Sequence, residues 1–241
     1  SGGGKMAKNI TGRRKKFFII LVIIISVFIV VTYLTYFFKS RKKFVYEKSI
    51  DEYVMRVNDT EITLREFGCY IFDVEGFVQR QALIYDEADP ISYWNTHYSA
   101  GMNSVFMRDY ALKTAIGVCL QDMAYEQLAI AEGMELTQEE TDHVKEETET
   151  YFLGMSTEVR KILGLDMDIC TMIKLRKALA LKYASDIASK TDLSGYGGTP
   201  ETAMSFDGGY FKANVLPAVE VVYNKKITEG LKLGRITVNR E

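Results

Sequence analysis

The residues of this 241-residue chain whose types suit catalysis are few and widely spaced. Its two histidines are His97, in an aromatic stretch, and His143, in a run of acids. A metal site needs several ligands converging, and no C-x-x-C, H-E-x-x-H or D-x-D-x-D-G pattern is present. His97 reads as a loop residue bonded to backbone and His143 as a solvated surface residue. Glu139, Glu140, Glu146 and Glu147 have the side chains for paired general acids, but on a long polar helix face such groups solvate. The stretch GYGGTP, residues 195–200, lacks the lysine and the following helix of a phosphate loop. Asn58-Asp59-Thr60 matches a glycosylation acceptor, and a tight turn accounts for it equally well. The expectation is no catalytic residue, no metal and no cofactor.

The elements that carry these residues are mainly helical. YVMRV, residues 53–57, is a short strand followed by an Asn58-Asp59 turn, and Thr63 with Glu66 forms the T-x-x-E capping box of a helix. That helix carries Phe67, Tyr70, Ile71, Val74, Phe77 and Val78 at 3-4 spacing, which predicts one apolar face ending near Tyr85, before Pro90. Residues 89–104 are expected to be a long aromatic connection, packed as a unit. A long helix from Asn103 to Glu132, with Phe106, Tyr110, Ala111, Ile116, Cys119, Leu120, Met123 and Leu128 inward, should close at Gly133. Thr137 with Glu140 opens an acidic helix to about Phe152. A short helix stops at Gly164, and Asp166 or Asp168 starts another through Leu175, Leu179 and Leu181 to about Ala188. Residues after Lys190 read as a flexible connection, then strand-like pieces at Val219–Tyr223 and RITV, with ITEGLKLG as one or two helical turns between them.

Cys69, Cys119 and Cys170 are too few for a disulfide framework; buried thiols, or one pair with a leftover, fit the count. Met102, Met107, Met123, Met134, Met155, Met167 and Met172 supply adaptable apolar surface, for core filling or for an open groove. The candidate binding residues are Tyr93, Trp94, Tyr98, Met102 and Met107.

Phe17 to Phe38 is uncharged, and its 22 residues would span about 33 Å as a helix, enough for a hydrocarbon core of about 30 Å. It runs into TYLTYFFKSRKK, with no A-x-A-like cleavage site, so it is expected to be an uncleaved transmembrane anchor. Basic residues flank it on both sides; the short leading tail favours the amino terminus inside and the bulk outside. Residues 1–5, SGGGK, read as a cloning remnant ahead of a natural start at Met6. Residues 44–241 hold 32 acids against 20 bases, a net charge of −12, which argues against nucleic acid as a partner. The expected plan is a basic tail (1–16), an anchor (17–38), a linker (39–52), a helical domain (53–190), and a flexible connection with a returning β tail (191–241).

The order of these elements resembles the SurA and PrsA family of extracytoplasmic chaperones. VMRVNDTEITLREFGCYIF is similar to that family's opening strand, turn and helix, LAIAEGMELTQEETDHVKEE to its next helix junction, and KLRKALALKYASDIA to the last helix of its amino-terminal domain. The resemblance covers residues 53 to about 190. It implies a multihelical domain with a small β element drawn from both its ends, and a holdase or foldase whose partners are unfolded or translocating polypeptides at the cell membrane. Only about fifty residues follow Lys190, and no histidine lies beyond residue 143, so the parvulin prolyl isomerase of some members is expected to be absent. Against the chaperone reading stand a degenerate, weak isomerase and a dedicated subunit of a membrane complex.

Overall fold

The computed structural model describes residues 25–35, 44–100 and 103–240. Residues 25–35 are helical (α1), and they belong to a separate unit from the one that starts at Phe44. The remainder of the expected span, 17–24 and 36–38, lies outside the described residues. Among the described residues no helix is long and apolar enough to cross a membrane.

The second unit is mainly helical. The strand expected at its start is β1 (Tyr53–Val57), joined to β2 (Thr60–Thr63) through a turn in which Asn58 has φ 50°. Asparagine tolerates this left-handed conformation better than other non-glycine residues. The register slips between Tyr53 and Met55, which lets both Val54 and Met55 face the core. Thr63 then caps α2 (Leu64–Tyr85): its hydroxyl accepts from the Glu66 amide at 3.3 Å, and the Glu66 carboxylate accepts from the Thr63 amide at 2.6 Å. The same reciprocal pair, Thr137 with Glu140, caps a later helix.

The aromatic connection contains regular structure. Asp89 caps a short helix, α3 (Pro90–Trp94), with Pro90 in its first turn. A hairpin follows, β3 (His97–Ala100) against β4 (Asn103–Phe106), with His97 opposite Phe106. The long helix α4 (Met107–Ala131) therefore begins four residues later than the sequence predicts, because Asn103–Phe106 pairs as a strand. It is the central helix, packed between α2 and a later helix, and its buried residues run all round it rather than along one stripe. Gly117 lets the Phe206 ring lie against it; a Cβ there would sit 2.2 Å from the ring. Gly133, at φ 73°, turns the chain after α4.

Three helices complete the body: α5 (Gln138–Gly154), α6 (Thr157–Leu163) and α7 (Met167–Lys190), the last capped by Asp166. Phe77, expected on the apolar face of α2, is 58% exposed. The assumed linker is in part structured: from Phe44 the chain packs, Tyr46 is buried, and its hydroxyl donates to the Leu64 carbonyl at 3.2 Å. Residues 39–43 lie outside the described residues.

The stretch read as a flexible connection is packed, with Leu193, Met204, Phe211 and Val215 buried around α8 (Pro200–Met204) and the π turn Phe211–Val215. β5 (Val221–Tyr223) then pairs antiparallel with β1, Met55 opposite Tyr223 and Val57 opposite Val221, so the sheet order is β2-β1-β5. After α9 (Lys225–Gly230), RITV is not a strand. The amides of Gly234, Ile236 and Thr237 are taken by the Glu75 carboxylate of α2 instead of by a neighbouring strand.

Candidate binding groove

An open apolar cleft lies where α4 ends, the chain turns at Met134–Leu136, and α7 begins. It is a shallow, solvent-open groove with a volume of about 570 Å³. Ile130 of α4, Met134 and Leu136 of the turn, and Met172, Leu175 and Leu179 of α7 line it. Ile130 is 61% exposed and Met172 39%, so the apolar surface is open to a partner. Gly133 makes this geometry: by ending α4 in the left-handed region it folds Met134 back toward the helix, whose Ala129 carbonyl accepts the Met134 amide at 2.8 Å.

The polar lining of the cleft comprises Glu135, Thr141, Asp168 and Thr171 together with an ion pair between Glu126 and Arg176. Arg176 is buried, and its Nε donates to Glu126 Oε2 at 2.7 Å. Burial works against the guanidinium's charge, but the Glu126 carboxylate, with smaller contributions from Tyr70 and Cys119, holds the Arg176 pKa above its ordinary value. Arg176 Nη1 is buried with no hydrogen-bond partner among the described residues. The unpartnered nitrogen points into the protein, on the side of buried Tyr70 and Asp122, rather than into the cleft.

A charged network joins α2, α5 and α7. Asp73 accepts from Lys177 Nζ at 2.6 Å and from the Tyr151 hydroxyl at 2.9 Å. Asp122 is buried, and burial raises its carboxyl to about 6. Its Oδ2 and the Tyr70 hydroxyl have no hydrogen-bond partner among the described residues.

The residues singled out from the sequence lie elsewhere. Trp94 is buried, donating from its indole nitrogen to Gln79 Oε1 at 2.9 Å, and the tail crosses its face at Gly234. Tyr93 is half-buried against Tyr85, with ring centroids 5.3 Å apart. Tyr98 lies on the hairpin, its ring 4.2 Å from Tyr110, and Met107 packs against the core. Met102 lies outside the described residues. The cleft draws instead on Met134 and Met172, two of the methionines noted in the sequence, and on Ile130, which no spacing rule marked as exposed.

His97 is bonded to a side chain rather than to backbone: its Nδ1 is 2.8 Å from Ser104 Oγ across the hairpin. No carboxylate is bonded to its other nitrogen among the described residues, and the pair faces solvent rather than a cleft. His143 is exposed, 3.7 Å from Glu147 one turn on. Among the described residues no group of three or more His, Cys, Asp or Glu is placed to hold a metal ion. The Asn58 side chain is engaged at both ends, its Oδ1 accepting from the Glu220 amide at 2.8 Å and its Nδ2 donating to Gln127.

No family model matches this chain, and neither does any curated protein or any solved structure.

Proposed function

We propose that this chain is a single-pass, membrane-anchored extracytoplasmic chaperone that holds unfolded secreted polypeptides, without prolyl isomerase chemistry. The observation that carries this reading is the open cleft between α4 and α7, with Ile130, Met134, Met172 and Leu175 around a buried arginine. Unbranched methionine side chains adapt to varied apolar partners, which suits a site that must accept many sequences. Apolar side chains of a client would settle on these residues. The resemblance in element order to the SurA and PrsA chaperones supports the same reading, and the apolar run 17–38 would hold the cleft near emerging chains.

The test is suppression of aggregation by residues 44–241 without ATP. Light scattering of a chemically unfolded protein should fall as the domain is added in molar excess. Scattering unchanged at several-fold excess contradicts the proposal. In-cell crosslinking that returns one membrane protein instead of many secreted chains would make the domain a dedicated subunit.

A further inference from the structure

Two cysteines distant in sequence meet inside the helical body. Cys69 lies on α2 and Cys170 in the first turn of α7, 101 residues apart, yet their sulfurs are 3.9 Å apart and Cys69 donates to Cys170. Both side chains are buried, and both are free thiols. We infer that Cys69 and Cys170 form a reversible disulfide, made by exchange with a small disulfide oxidant of the glutathione class. The inference rests on this juxtaposition and stands whether or not the cleft binds unfolded chains.

A disulfide requires sulfurs about 2.05 Å apart, so the pair must close by roughly 2 Å. The two thiols are chemically unequal. The hydrogen bond from Cys69 lowers the Cys170 thiol, while donating that bond and burial raise Cys69. Cys170 is therefore the attacking thiolate and Cys69 the resolving thiol. In the first step the Cys170 sulfur bonds to one sulfur of the oxidant, whose S–S bond breaks and releases a thiolate. In the second step Cys69 loses its proton and attacks the Cys170 sulfur, displacing the remaining half of the oxidant as a second thiolate. The two thiolates take up the two cysteine protons, so two protein thiols are oxidised and one small disulfide is reduced.

The oxidant would enter past α5, whose Tyr151 lies beside Cys69. Tyr151 of α5 reaches over the pair, its hydroxyl 3.4 Å from the Cys69 carbonyl and its ring 3.7 Å from Lys174 Nζ. Of α5's residues only Thr148 is fully buried, and Tyr151 and Phe152 are partly buried against the core. Cys119 is an internal control: it is buried, with its sulfur 4.0 Å from Met123 Sδ, and it has no cysteine within bonding reach.

The full chain in detergent is equilibrated with mixtures of reduced and oxidised glutathione, quenched in acid, unfolded and alkylated. The expected result is the joint loss of two of the three alkylation sites as the ratio becomes oxidising, with a Cys69–Cys170 linked peptide and Cys119 alkylated. Closing so long a loop should raise the melting temperature by about 5–15 °C. Cys69→Ser and Cys170→Ser should each abolish that rise while Cys119→Ser retains it. Three alkylated thiols under the most oxidising ratio, linkage through Cys119, or a stable glutathione adduct at Cys170 would each overturn the inference.

Discussion

Asp122 shows how a single residue can set a pH dependence. It is an acid on the central helix, 8% exposed, beside Tyr70 and Arg176 and within the field of Lys177 and Asp73. Burial raises its pKa from 3.8 to about 6, outweighing the cations that favour the charged form. The folded state thus holds this proton more tightly than the unfolded chain does. The contribution to stability is fully present below the unfolded value near 3.8 and is lost as pH rises through about 6. At about 1.36 kcal/mol per pKa unit the whole effect is at most about 3 kcal/mol. Asp122→Asn should therefore stabilise the protein at pH 8 by about 1–3 kcal/mol, and the advantage should fade as pH falls toward 4. Urea denaturation of both proteins at pH 8, 6 and 4 measures this. A difference that does not change with pH contradicts the assignment. Nothing in the sequence around Asp122 marks it as buried, since an acid on a helix ordinarily faces water.

The starts of α2, α5 and α7 were legible in the sequence because capping is local chemistry, whereas α4, which has no side-chain cap, starts four residues later than expected. Thr63 with Glu66, Thr137 with Glu140, and Asp166 each satisfy amides within their own first turn. The tail was not legible, because its organising group is Glu75, some 160 residues away on α2. That carboxylate is completely buried and accepts from the Ile236 amide at 3.2 Å, the Thr237 amide at 2.6 Å, the Gly234 amide and the Thr237 hydroxyl. No cation pairs with it within ion-pair distance among the described residues. Burial raises its pKa, and the four donors oppose the rise without cancelling it. Glu75→Gln would turn two donors of its own toward a ring of donors, costing about 2–4 kcal/mol and releasing residues 234–239. Trp94 is the sole tryptophan and is covered by Gly234, so its emission should shift to the red when the tail leaves. Unchanged emission and an unchanged unfolding midpoint would contradict this role. The hairpin β3–β4 escaped notice for a related reason. Its strands are four residues each, and its pairing depends on partners across a turn rather than on the periodicity of either strand.

At the scale of the whole domain, the two ends of the unit that starts at Phe44 meet in one sheet, and α4 carries the packing between α2 and α7. That arrangement leaves one end of the α4–α7 pair uncovered, which is where Ile130 and Met172 open the cleft. The site was legible as composition, a supply of methionine, but not as a place, because exposure depends on which helices pack and where they end. The central claim is that this cleft holds unfolded chains, and it turns on two exposed side chains. Ile130→Gln with Met172→Gln removes apolar surface from the cleft while leaving the buried core intact. The deciding measurement is the affinity of residues 44–241 for a permanently unfolded polypeptide, with the melting temperature recorded beside it. The account predicts binding weakened about ten-fold, the loss of roughly 1.4 kcal/mol of apolar contact, at an unchanged melting temperature. Equal affinity for the wild-type and doubly substituted domains would contradict it.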